Sequence, residues 1–226
     1  MGTNIDVSVA NNVDYNWYID QYYTGTHWNV NCGPASVTMA LKWELPFFNR
    51  TTEDARNTYP LDGGWWHTTD IVNYLNLYHA RGRVIEFNQE EDLLAELDLG
   101  NIAILCLDMY YVRKETKGEQ WAIDKFYSTE NPESGHFIIV KGYKKVGNNT
   151  LFEVYDPWSI DKRYEDGRFM GLDRLYRSED IMKATNVWWK YAIVIYPRTT
   201  KFAIPLALPS KQKSFDMTNI PNQKGR

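Results

Sequence analysis

Around Asn101 the hydrophobic pattern of this 226-residue chain changes period. Before that point apolar residues recur at helical spacing. After it they fall in short β-rich runs: I-A-I-L-C-L (Ile102 to Leu107), F-I-I-V-K-G-Y (Phe137 to Tyr143), L-F-E-V-Y (Leu151 to Tyr155) and Y-A-I-V-I-Y (Tyr191 to Tyr196). Helices first and strands later, with turn signals such as Gly147-Asn148-Asn149, predict an α+β fold with a mostly antiparallel sheet. The helical part contains three predicted helices. One spans Pro34 to Leu45 and is stopped by Pro46; one is capped by Thr68 or Thr69, carries Ile71, Leu75 and Tyr78 on one face and closes at Gly82; the third, Glu90 to Leu97, is acidic in its first turn. Residues 1–31 read as a lead-in without hydrophobic periodicity, irregular through residue 20, and 113–135 as a long polar loop. The chain up to residue 198 therefore reads as a single domain, and the proline-interrupted 199–226 as a tail that either drapes over it or is partly disordered.

Composition narrows the function. Apolar residues make up 43% and charged residues 24%, a globular balance, while 15% aromatic content hints at an aromatic-lined cleft. A formal net charge of −4 and the lack of any long Lys/Arg run remove the electrostatic footprint that nucleic acid requires. The longest apolar runs fall far short of the roughly 20 residues that span a bilayer, and the start, M-G-T-N-I-D, has neither the basic nor the apolar region of a secretory leader. A soluble chain without a transmembrane segment is expected. Two cysteines and four scattered histidines give neither a disulfide framework nor a zinc site, and nothing calls for a cofactor.

One of those cysteines stands out. In N-V-N-C-G-P-A-S, Cys32 sits at the mouth of the first predicted helix, where unsatisfied N–H groups and the positive end of the macrodipole favour thiolate over thiol. Cysteine is also among the most buried residue types, and Cys106, inside I-A-I-L-C-L, keeps that plain reading. A base for Cys32 is available in His136, which opens the run G-H-F-I-I-V-K-G-Y. If the strands on either side of Gly147-Asn148-Asn149 form a hairpin, Asp156 at the end of L-F-E-V-Y-D-P-W returns to the start of the first strand, beside His136. A carboxylate on one imidazole nitrogen would fix the tautomer and leave the other nitrogen for a thiol proton. Trp65, Trp66 and His67 could line a cleft, though a Gly-Gly turn followed by a buried aromatic pair is the commoner arrangement. Trp158 fits either a shield for the His–Asp pair or the core.

The blocks N-C-G-P-A-S-V-T-M-A-L, G-H-F-I-I-V-K-G-Y and V-Y-D-P-W, in that order, resemble the peptidase C39-like family, a branch of the papain-like cysteine peptidases. The resemblance runs from about Gln21 to Tyr196. It implies a papain-like fold with Cys32 as nucleophile, His136 as general base and acid, and Asp156 as orienting carboxylate, acting on a peptide or amide substrate through an acyl-enzyme. It also implies an upstream glutamine that helps bind the oxyanion; Gln21 takes that role, with Asn29 and Asn31 in reserve and the Cys32 backbone N–H as second donor. Bacteriocin-processing members commonly carry Asp immediately before the cysteine and Gln farther upstream, where this chain has Asn31 and Thr26, which argues against cleavage of leader peptides after a double glycine. Acyl transfer on the same three residues, and a non-catalytic peptide-binding module, are the alternatives.

Overall fold

Among the described residues, seven strands form one antiparallel sheet, and helices cover both of its faces. The computed structural model describes residues 5–116, 122–198, 215 and 217–225. In chain order the elements are β1 (Val7–Ala10), α1 (Cys32–Glu44), α2 (Thr52–Arg56), α3 (Thr68–Leu77), β2 (Gly82–Glu86), α4 (Glu90–Asp98), β3 (Ile102–Asp108), β4 (Gly135–Val146), β5 (Asn149–Tyr155), β6 (Arg174–Arg177), α5 (Ser178–Trp188) and β7 (Tyr191–Ile195), with 3-10 turns at Gln21–Tyr23, Trp28–Val30 and Met109–Tyr111. Strand order is β2-β7-β3-β4-β5-β6, and β1 extends the β3 edge by pairing with the far half of the long β4.

Alternation of side chains along the central strands produces two cores. Ile102, Ile104 and Cys106 of β3, with Phe137 and Ile139 of β4, face α1 and α3. Ala103, Leu105 and Leu107, with Ile138 and Val140, face Leu93, Leu94 and Leu97 of α4 and Ile181 and Ala184 of α5. Near-continuous apolar runs in β3 and β4 are the signature of strands buried on both faces. Each large side chain removed from water there contributes about 1.5–3 kcal/mol.

Several expectations are corrected. The first helix begins two residues before Pro34, because Ala35 N–H bonds Asn31 C=O at 2.8 Å and makes Asn31 the cap. Pro34 is tolerated in the first turn, where N–H groups have no intrahelical acceptor. The next helix is capped by His67, whose N–H donates to Asp70 Oδ2 at 2.7 Å, so Thr68 and Thr69 are helical; it ends at Leu77, and Gly82 opens β2. Gly82 must be glycine because a Cβ there would lie 2.0 Å from Val194 O. The lead-in contributes the edge strand β1, four residues long and largely exposed, too short and too wet for its alternation to stand out. Helices α2 and α5 and strand β6 also escaped the sequence reading, although α2 carries a capping box between Thr51 and Asp54 and α5 has Glu179 and Asp180 in its first turn. Residues 199–214 of the expected tail lie outside the described residues, whereas 217–225 follow a definite path across the molecule.

Candidate active site

Cys32 is the first residue of α1, so its own N–H has no acceptor within the helix. Gly33 lets that first turn press between the entry to α3 and β4: a Cβ would stand 2.8 Å from Trp66 Cβ and 3.3 Å from Phe137 Cδ2. One turn on, Ser36 Oγ donates to Phe137 O at 3.2 Å, fastening α1 beside the start of β4.

The loop that delivers the chain to Cys32 is held by buried polar groups. Asn31 is fully buried; its Nδ2 donates to Thr24 Oγ1 at 2.8 Å and Thr24 O at 3.1 Å, and its Oδ1 accepts from Arg56 Nε at 2.6 Å. The Arg56 guanidinium, also buried, donates to Gly64 O at 2.6 Å and Val30 O at 2.7 Å. Burial lowers its pKa, and the charge of the nearby Cys32 opposes that shift. A lone arginine in a short helix carries no sequence signal for such a role, and it was missed.

His136 and Asp156 meet because of an irregularity in the hairpin. Near the turn, Val146 pairs with Asn149 and Gly142 with Glu153; beyond it Val140 pairs with Val154 and Ile139 with Tyr155. The buried Lys141 is the extra residue of this bulge, and its ammonium pairs with Glu153. A regular ladder would set Asp156 opposite Ile139 and on the other face from His136; the one-residue shift sets it in line with Ile138, a diagonal neighbour of His136 on the same face. His136 Nε2 lies 2.8 Å from Asp156 Oδ1. The same oxygen accepts the Trp158 N–H at 2.9 Å, while Oδ2 accepts from Tyr127 Oη at 2.9 Å and Tyr176 Oη at 2.5 Å.

These contacts set the charges. Burial alone would raise the Asp156 pKa, but the imidazole, the Tyr176 hydroxyl and the Trp158 N–H outweigh it and hold the carboxyl below its ordinary range. Burial likewise opposes the imidazolium of His136, yet Asp156 and the hydrogen-bonded Cys32 sulfur push its pKa up to about 10. Tyr127 and Tyr176 are raised by burial and by the Asp156 charge, so both stay neutral donors. Neither tyrosine was identified from sequence: Tyr127 lies in the segment read as a long polar loop, and Tyr176 in the short strand β6, which escaped the sequence reading. Cys32, His136 and Asp156 are 2%, 4% and 0% exposed. Trp158, half-buried, lies tilted against Trp28 and Tyr127 with ring centroids at 5.9 and 6.4 Å. Trp66 is core, beside Tyr59 and Tyr74.

Of the oxyanion candidates, Gln21 is buried in the first 3-10 turn; its Nε2 donates to Trp28 O at 2.7 Å and its Oε1 has no partner. Asn29 is exposed, and the amide nitrogen of Asn31 is committed to Thr24. Among the described residues no cluster of His, Cys, Asp or Glu could hold a metal ion, and no helix is long and apolar enough to cross a membrane.

No curated protein matches the sequence. Among solved structures the chain resembles a Bacillus anthracis protein described as a C39-like peptidase, at 14% identity with a TM-score of 0.56, over 85% of this chain and 99% of the other. That likeness concerns the fold, a mixed arrangement of helices and antiparallel sheet. The profile of the Peptidase_C39 like family matches residues 12–178, and the chain belongs to that family.

Proposed function

We propose that the protein is a cysteine peptidase or amide hydrolase of papain-like architecture, working through an acyl-enzyme on Cys32. The observation that carries this reading is the 2.8 Å contact of His136 Nε2 with Asp156 Oδ1, which commits that nitrogen to the carboxylate and leaves the other for the nearby Cys32 sulfur, whose influence on the imidazole adds to that of Asp156. His136 already holds the proton as imidazolium; the sulfur attacks the substrate carbonyl as thiolate, and the imidazolium delivers its proton to the leaving amine. Water then completes hydrolysis with His136 as base. Asp156, gripped by two tyrosines and a backbone N–H, keeps the imidazole in one tautomer and supports its charge. The developing oxyanion is met by the Cys32 N–H and by Gln21, whose amide has one N–H on Trp28 O and one to spare.

The test is to incubate the full chain with a peptide library, with and without competing amines, and weigh the products. Free acids whose formation stops in Cys32→Ala support the reading. Amide adducts in place of acids would favour acyl transfer, and no Cys32-dependent product at all would favour a binding module.

A further inference from the structure

Residues 221–225 run from the head of α3 to the Cys32 sulfur, without forming a regular strand. Gly225 N–H donates to Trp66 O at 3.1 Å, Thr68 N–H to Gln223 O at 2.6 Å, and Lys224 forms an antiparallel bridge with His67. On the opposite side the two indoles at the end of α5 take main-chain carbonyls: Trp188 Nε1 donates to Lys224 O at 3.0 Å and Trp189 Nε1 to Pro221 O at 2.6 Å. Asn222 Oδ1 accepts from Thr68 Oγ1, Thr69 N and Thr69 Oγ1 at the head of α3. The segment ends against the thiol. Gly225 is buried, and a Cβ there would lie 2.5 Å from the Phe137 ring and 3.1 Å from Cys32 Sγ.

We propose that the groove between Trp66–Thr69 and Trp188–Trp189 is the peptide-binding run of the cleft, and that Pro221–Gly225 occupies it in cis as a built-in competitor that shuts off Cys32. The inference rests on the cysteine hydrolase reading and names the regulation of that site. Two features point to a peptide groove rather than to incidental packing. Apart from Asn222, the chain is held through its backbone, by the antiparallel bridge and by indole N–H groups, which is how an extended peptide of variable sequence is recognised. And the residue beside the sulfur is the one type whose lack of a side chain fits between Phe137 and Sγ. An attached occupant acts at the effective concentration its tether sets, so an incoming peptide must displace it before reaching the thiol.

The experiment compares iodoacetamide labelling of Cys32, located by peptide mapping, in the full-length wild type, Gly225→Leu and Asn222→Ala, each checked for a cooperative melt. Labelling should accelerate by about tenfold in Gly225→Leu, as the open fraction of the cleft rises, and to a smaller extent in Asn222→Ala, which supplies the readout should Gly225→Leu fail to fold. A synthetic peptide spanning residues 217–225 added to whichever variant labels faster should restore protection. Wild-type labelling rates in the folded variants, or no protection by the peptide, would overturn cis occupancy and leave the hydrolase reading standing. Faster labelling reversed by the peptide, but with no turnover of any peptide, would support occupancy and overturn the hydrolase reading.

Discussion

A thiol becomes a nucleophile through its neighbours, and the two cysteines of this chain differ in little else. Cys32 heads a helix with His136 at its sulfur; Cys106 is fully buried in β3, where burial and then the charge of Cys32 push its thiol well up. In the native wild type, alkylation should therefore be confined to Cys32, and peptide maps showing Cys106 modified first would refute the assignment. Gln21 offers a finer test. Replacing one preorganised oxyanion donor costs roughly a hundredfold in turnover, so Gln21→Ala should lose about that much kcat while Cys32 still alkylates. It also removes the shorter of two hydrogen bonds on Trp28 O, which keeps the Asn31 N–H at 3.3 Å, and a stability loss of about 0.5–1.5 kcal/mol is expected. A purely structural Gln21 would show the stability loss with kcat intact.

At the scale of elements, the site depends on how the head of α1 is held. Arg56 satisfies Asn31 Oδ1, Val30 O and Gly64 O together, so Arg56→Met leaves three acceptors unpaired and removes a cation near the sulfur. Unfolding free energy should fall by about 3 kcal/mol or more, at roughly 1–3 kcal/mol for each unsatisfied group, and Cys32 alkylation should slow. A variant that melts like wild type would show that the loop does not need the guanidinium. Gly33→Ala tests the close approach of α1 to Trp66: overpacking of this kind costs about 1–3 kcal/mol, visible as a lowered Tm. Sequence made some of this construction legible. Helix α1, strands β3, β4, β5 and β7, and the turn at Gly147 all followed from periodicity and turn chemistry, and the turn suggested that Asp156 would reach His136. What it did not reveal was the means. The bulge at Lys141, the tyrosines on Asp156 and the arginine under Asn31 depend on which distant segments fold together, and period and propensity record only local order. The edge strand β1 and the short α2 were lost for the opposite reason, having too few residues for a period to register.

Across the whole molecule, folding and charge are linked through the His136–Asp156 pair, which exists only when β4 and β5 have closed their hairpin and β6 has brought Tyr176 alongside. The folded imidazole titrates at about 10 against an ordinary 6.5. The native state therefore holds a proton that the unfolded chain releases, and the stability this confers is complete below pH 6.5, declines above it, and is gone once pH passes the folded value. Asp156 behaves in the opposite sense. Its folded pKa lies below the ordinary 3.8, so its contribution is present above that value and is lost as pH falls through the folded one. The two contributions coincide between roughly pH 4 and 6.5, and removing the imidazole should cost most in that window. The Tm difference between wild type and His136→Gln should accordingly be largest near pH 6 and shrink steadily toward about pH 10, because deprotonated His136 retains a hydrogen bond to Asp156 but no longer a charge. A difference that stays constant over that range would mean that His136 is neutral in the folded protein at every pH tested, and that the proton it hands to the leaving amine comes to it only when Cys32 is engaged by substrate.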